Sequence, residues 1–224
     1  MRLNSQYVLL PIICVRFILC LLITISFAAH SQTQSWIEFM GGRTAQYSTL
    51  GNLKAKGLEV TFDYPQSWLS ESGKRPNILT LITSERGRGL QSCGLEIRNI
   101  PKLADLIVSD KEVADELFDP SGLSDFMPSG STYISGSRTS IDGQPAAWIK
   151  FIQDMDRAGM KIRMAWVFYP IYFDKKLIYF NCAVGGSAEE AKEDLLKRLQ
   201  VNLPLFQQMA STIIIHDKWK SKSR

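Results

Sequence analysis

Hydrophobic and polar positions sort most clearly between residues 141 and 184, where three long apolar segments are separated by two short polar breaks. The breaks, Asp154-Met155-Asp156-Arg157-Ala158-Gly159 and Asp174-Lys175-Lys176, are of hairpin length. The spacing predicts strands over 146–153, 160–172 and 177–184, joined as an antiparallel meander. In the middle strand Ile162, Met164, Trp166 and Phe168 fall on one face, and Arg163, Ala165, Val167 and Tyr169 on the other. Both faces are therefore largely apolar, and such a strand needs cover on both sides, which an open ribbon does not supply. The expected class is α+β: an α/β/α sandwich with a central antiparallel sheet.

Other segments fill in the layers. Residues 58–62 read as a strand stopped by Tyr64-Pro65, 77–83 as a second, and 92–100 as a third with Cys93, Leu95 and Ile97 on one side and Glu96 and Arg98 on the other. Ser84-Glu85-Arg86-Gly87-Arg88-Gly89 turns the chain between the last two. Ser109-Asp110-Lys111-Glu112 matches a capping box, with Val113/Leu117 and Ala114/Phe118 stacked beneath it. Residues 119–130, with two prolines and two glycines, read as a loop. Phe126 and Met127 within it suit either a plain connection or a partner-binding lid. A thin polar strand is expected over 133–140, near an edge. Ser187-Ala188-Glu189-Glu190 predicts a second capping box, opening a helix striped by Ala188, Ala191, Leu195 and Leu199 that Pro204 ends or kinks. Residues 212–216 suit a final short strand.

Composition adds a compartment. The 224 residues are 45% apolar and 21% charged, which suits one domain with a real core. Residues 1–31 read as a secretory signal: Arg16 is followed by uncharged, mostly apolar residues, and Ala29 and Ser31 occupy the −3 and −1 positions of a cleavage site. The alternative is an uncleaved inner-membrane anchor, since the apolar stretch from Tyr7 onward reaches a bilayer-spanning length of about 20 residues. Cys20 follows Leu19, where a lipid-anchored chain needs a small residue. The expected division is signal peptide 1–31, N-terminal extension 32–56, globular domain 57–216 and basic tail 217–224. The formal charge of +4 falls to near neutral in the globular body once Arg2, Arg16 and the tail residues Lys218, Lys220, Lys222 and Arg224 are set aside. No broad nucleic-acid footprint is expected. The tail is expected to be solvated, with contact to anionic lipid as the alternative.

An exported chain that keeps an even pair of cysteines, Cys93 and Cys182, predicts one disulfide; two buried free thiols are the alternative. His30 and His216 are the two histidines, and the first leaves with the leader. A hydrolase would have to use His216 with the paired carboxylates Asp154 and Asp156, which a turn ordinarily contains for other reasons. Too few nitrogen and sulfur ligands remain for zinc, and no cofactor is expected. Lys74 and Arg75 together with Arg86 and Arg88 can cradle an anion; solvated hairpins are the alternative. Trp148 and Trp166 read as core before contact residues.

Residues Gly57-Leu58-Glu59-Val60-Thr61-Phe62-Asp63-Tyr64-Pro65 with Trp68, Ile141-Asp142-Gly143-Gln144-Pro145-Ala146-Ala147-Trp148 and Leu177-Ile178-Tyr179-Phe180 make the chain resemble the PsbP-like family, which includes Ran-binding Mog-type proteins and exported bacterial relatives. The resemblance covers roughly 57–216 and implies the same sandwich. It also implies an accessory or binding role in place of catalysis, without passing on a particular partner. Together with the leader and the scarcity of catalytic side chains, the expectation is a binding protein with a protein partner, of which an immunity-type role is one version. Expected localisation is periplasmic or secreted.

Overall fold

The computed structural model describes residues 34–84, 91–100, 109–157 and 159–220. Its larger sheet has seven antiparallel strands in the order β3-β4-β5-β9-β8-β7-β6. They are β3 (Trp68–Ser72), β4 (Ile78–Ser84), β5 (Gln91–Asn99), β6 (Ser131–Ile141), β7 (Gln144–Arg157), β8 (Met160–Phe173) and β9 (Lys176–Ser187). The expected meander is present as β7-β8-β9, and β6 lies at the edge as its polarity suggested. Two of its hairpins turn through left-handed pairs, Asp142-Gly143 (φ 49° and 67°) and Asp174-Lys175 (φ 47° and 58°). That backbone matches the twist of the flanking strands. The break expected at 154–159 is much shorter. Asp154 and Asp156 lie within β7, opposite Arg163 and Lys161, because opposite charges directly across a strand pair favour continued pairing over a turn.

Both faces of this sheet are buried. On one, Ala165, Val167, Tyr169 and Ile171 of β8 join Leu195, Leu199, Phe206 and Met209 of the long helix α3 (Lys192–Ser211). On the other, Phe168 and Tyr172 join Ala147, Ile149 and Phe151 of β7 beneath Val113, Ala114 and Phe118. Val113 and Ala114 belong to α2 (Asp110–Leu117), whose Ser109–Glu112 capping box forms as predicted. The molecule is thus an α+β sandwich. Its first cover layer also contains a separate three-stranded sheet, β1-β2-β10, made of β1 (Thr44–Ser48), β2 (Val60–Pro65) and β10 (Ile214–Ile215). Phe62 of β2 meets Phe180 of β9 edge-on at 5.0 Å. The stretch expected as an N-terminal extension supplies α1 (Gln34–Met40) and β1, and Phe39 is buried in the same core.

The capping box expected at Ser187 fails, and of the two outcomes expected at Pro204, an end or a kink, the end does not occur. Ser187-Ala188-Glu189-Glu190 opens no helix: Ser187 ends β9, its hydroxyl accepts from the Glu189 amide at 3.2 Å, and α3 starts after Ala191 without a side-chain cap. The Glu190 carboxylate pairs with Arg198 instead of reaching back to a cap amide. Ala188 and Ala191 therefore leave the apolar stripe. Pro204 does not end α3, which continues to Ser211. Pro204 is exposed, so the Gln200 carbonyl that loses its amide partner can face water. In the 119–130 loop, Leu123 is fully buried and Phe126 stacks on Phe118 at 5.6 Å; these side chains belong to the second core and not to a lid.

Cys93 and Cys182 stand directly opposite on β5 and β9 and are disulfide-bonded, with Cα atoms 4.0 Å apart at a sequence separation of 89. Closing so long a loop in the unfolded chain contributes on the order of 4 kcal/mol. Replacing both cysteines by alanine should lower unfolding free energy by about 2–5 kcal/mol. Urea titration of the two forms measures it, and an equal midpoint would refute it.

Candidate functional site

The chain is stitched together at the end of the large sheet that carries the two left-handed turns. After β10, His216 donates its backbone N–H to the Glu59 carbonyl at 2.9 Å, and its Nε2 lies 2.9 Å from Thr61 Oγ1. Helix α4 (Asp217–Lys220) follows. Asp217 Oδ2 accepts from the Glu59 amide at 2.6 Å, and Lys220 pairs with Glu59 at 2.6 Å. Asp142, in the β6–β7 turn, accepts from the buried Ile215 amide at 2.9 Å, while Lys218 donates to its carbonyl and stands 3.5 Å from its carboxylate. Lys218 and Lys220, expected in a solvated tail, are thus ion-paired to the body; residues 221–224 lie outside the described residues.

Beside this junction opens a groove of about 590 Å³. Its floor is apolar, with Ala114 of α2, Pro145 of β7, and Tyr172 and Phe173 of β8. Its rim is charged. Lys111, Asp115 and Arg138 stand on the α2 and β6 side, and Asp174 and Asp217 opposite. Arg138 Nη2 donates to Asp115 at 2.5 Å and to the Ala114 carbonyl at 3.4 Å, and Lys176 pairs with Asp174 at 2.9 Å. An apolar floor with a charged rim is the anatomy of a recognition surface. A smaller hollow of about 110 Å³ lies elsewhere on the sheet, where Gly94 sets no side chain between Leu81 and Asn181.

The residues singled out in the sequence are mostly dispersed. Lys74 and Arg75 are exposed in the connection before β4; Arg86 and Arg88, beyond its end, lie outside the described residues. His216 sits by the Asp142 turn, through the neighbouring Ile215. Asp154 is at the far end of β7, paired with Arg163 at 2.6 and 3.0 Å, and Asp156 accepts from the Gly159 amide at 2.9 Å. Asp154 is ten residues along the extended strand from Gln144, about 33 Å, so the chain does not bring His216 and the carboxylate pair together. Trp148 and Trp166 are half-buried against the two cores. The Tyr169 hydroxyl is buried in the first core, and that burial pushes its ionisation well above the ordinary phenol range. The groove residues Lys111, Asp115, Arg138 and Asp174 were missed as a group. They lie on three segments distant in sequence, α2, β6 and the β8–β9 turn, which only the tertiary fold brings together.

No family model matches the chain, and no curated protein matches it. Solved structures do. Cyanobacterial PsbP (CyanoP) from Synechocystis sp. PCC 6803 is 16% identical, covering 77% of this chain and 92% of its own, with a TM-score of 0.43. LpqN, involved in cell envelope biogenesis of Mycobacterium tuberculosis, is 14% identical over 82% of this chain and 96% of its own, at 0.40. The Saccharomyces cerevisiae Ran-binding protein Mog1p is 12% identical over 77% and 95%, at 0.46. PsbP and Mog proteins, which the sequence resembles, are both among them. The likeness concerns fold outline and transfers no residue role; the sandwich assignment rests on this chain's own strand order and two-sided core.

Asp142 should matter to the junction out of proportion to its size. Asp142→Ala orphans the buried Ile215 amide and should cost about 1–3 kcal/mol, with faster hydrogen exchange at Ile215, while Asp142→Asn keeps an acceptor and loses less. A second expectation concerns pH. Hydrogen bonds from Arg163 hold the Asp154 carboxyl below its ordinary range. A group whose folded value is depressed adds stability above its unfolded pKa of about 3.9, and that stability is lost as pH falls through the folded value. The stability difference between wild type and Asp154→Asn should therefore be steady near neutrality and vanish in acid below about pH 4. Denaturation curves across that range test it, and a difference that grew in acid would contradict it.

Proposed function

We propose that this chain is an exported, non-catalytic accessory protein that binds another polypeptide, and that the groove between α2 and the hairpin turns is its contact site. The groove carries the reading: about 590 Å³, open, apolar at its base and bordered by Lys111, Arg138, Asp115, Asp174 and Asp217. Three supports stand beside it. The N-terminal sequence reads as a secretory leader, and the bonded Cys93–Cys182 pair suits an oxidising compartment. The side chains that a hydrolase would need, His216 and Asp154/Asp156, are held at separate ends of β7 by structural partners. The site is periplasmic or secreted on this reading, with membrane contact through the leader alone if it is retained.

Mild crosslinking of the exported chain in its envelope, followed by affinity purification, should enrich a specific polypeptide crosslinked near the groove. Joint Lys111→Glu and Arg138→Glu replacement should reduce recovery about tenfold or more, a loss near 1.4 kcal/mol of binding. The same reversal at Lys74 and Arg75 should leave recovery unchanged. Repeated recovery of the bait alone, or sensitivity only at Lys74 and Arg75, would overturn the proposal.

A further inference from the structure

The two edges of the seven-stranded sheet are finished differently. β3 is five residues long and exposes Glu71, a short, charged edge of the kind that discourages further pairing. β6 is 11 residues long, reads STYISGSRTSI and carries one charged side chain, Arg138. Among the described residues no strand pairs with its outer side. A bulge falls between Tyr133 and Ser135, after which residues 135–141 pair with β7 in unbroken register. The outer side of that stretch is a row of backbone donors and acceptors with the geometry to accept one more strand. Tyr133 and Ile134, 41% and 40% exposed, stand at its start.

Arg138 connects this edge to the groove. The groove rim on the β6 side holds two cations, Arg138 and Lys111, and one acid, Asp115, with Asp119 beyond it near enough to feel the Arg138 charge. Lys111 has no hydrogen bond or ion pair among the described residues, and Arg138 uses a single amino nitrogen, Nη2. The acids across the groove are already matched, Asp174 by Lys176 and Asp217 by Lys220. On an added strand, the residue opposite Arg138 would project to the same face, toward Arg138 and Lys111.

We propose that β6 accepts an extended segment of another polypeptide as an eighth strand along residues 135–141, with an acidic side chain opposite Arg138. This names how the partner of the preceding section docks and rests on that reading. A second copy of the chain fits less well. Antiparallel pairing of 135–141 with itself about its middle residue sets the two copies' Arg138 side chains directly opposite, where like charges repel. Registers that avoid this shorten the paired stretch or run into the bulge at Tyr133.

The test uses the exported chain, isotope-labelled for amide NMR, and three capped seven-residue peptides. One is Thr-Val-Thr-Glu-Thr-Val-Thr, one has lysine at the centre, and one is the glutamate peptide with alternate backbone nitrogens methylated. The glutamate peptide should shift and protect amides of 135–141 and bind about tenfold more tightly than the lysine peptide, methylation should abolish binding, and Arg138→Glu should reverse the preference. Undiminished binding of the methylated peptide would overturn the proposal. So would shifts confined to other elements, or a dimer that protects β6 with no peptide present. If an envelope partner is recovered whose crosslinks avoid β6 and the peptides fail, strand addition falls and the groove reading stands. Peptide binding at β6 with no envelope partner supports strand addition and counts against the partner reading alone.

Discussion

Strands β7, β8 and β9 are apolar on both faces, and neither face can be left to water. Leaving one large side chain exposed forfeits about 1.5–3 kcal/mol, and β8 alone buries Val167, Phe168, Tyr169, Ile171 and Tyr172. The remaining elements follow as cover. Helix α3 with the small sheet and α1 closes one side; α2 with the turn at Leu123–Phe126 closes the other. The disulfide lies inside this arrangement, Cys93 and Cys182 both buried. It fastens β9, at the centre of the sheet, to β5.

Cover of this kind has to be held in place, and the ends of the chain do much of that. β10 and α4 lock β2 and the β6–β7 turn together through Glu59 and Asp142. The Asp142 backbone is left-handed because a two-residue hairpin requires it, and its side chain is free to accept the Ile215 amide. At the opposite end of the sheet Arg163 plays a comparable part, binding Asp154 across the hairpin and the Glu190 carbonyl, at 2.7 Å, ahead of α3. The groove exists because α2 crosses the second face and stops short of the hairpin turns. Most of its charges belong to ion pairs at the rim, Asp115 with Arg138, Asp174 with Lys176 and Asp217 with Lys220.

Much of the fold was legible in the sequence because its signals are local. Alternation in 92–100, the break at Asp174-Lys175-Lys176, the capping box at Ser109 and the two-sided strand at 160–172 each depend on neighbours a few residues away. The failures share a cause. Ser187-Ala188-Glu189-Glu190 has the letters of a cap, yet β9 pairs with β8 through Ser187, and sheet pairing displaced the helix start. Pro204 suits either an end or a kink, and its exposed position lets α3 continue between buried Leu203 and Leu205. The polar run 154–157 looked like a turn, and the Asp154–Arg163 pair made it strand. β1 and β3 gave weak patterns, being short and half polar.

The sequence by itself determined that a two-sided antiparallel ribbon would need layers on both faces, that its strands would join as a meander, and that one pair of cysteines was available to bond. Those properties follow from periodicity and backbone preference along the chain. Tertiary structure alone decided that Cys93 faces Cys182, that β2 joins a separate small sheet, and that the terminal lysines are anchored. It also decided that Lys111, Arg138 and Asp174 meet around one groove while His216 and Asp154 lie apart. Each of these depends on contacts between residues distant in sequence, whose geometry is set by which faces pack together.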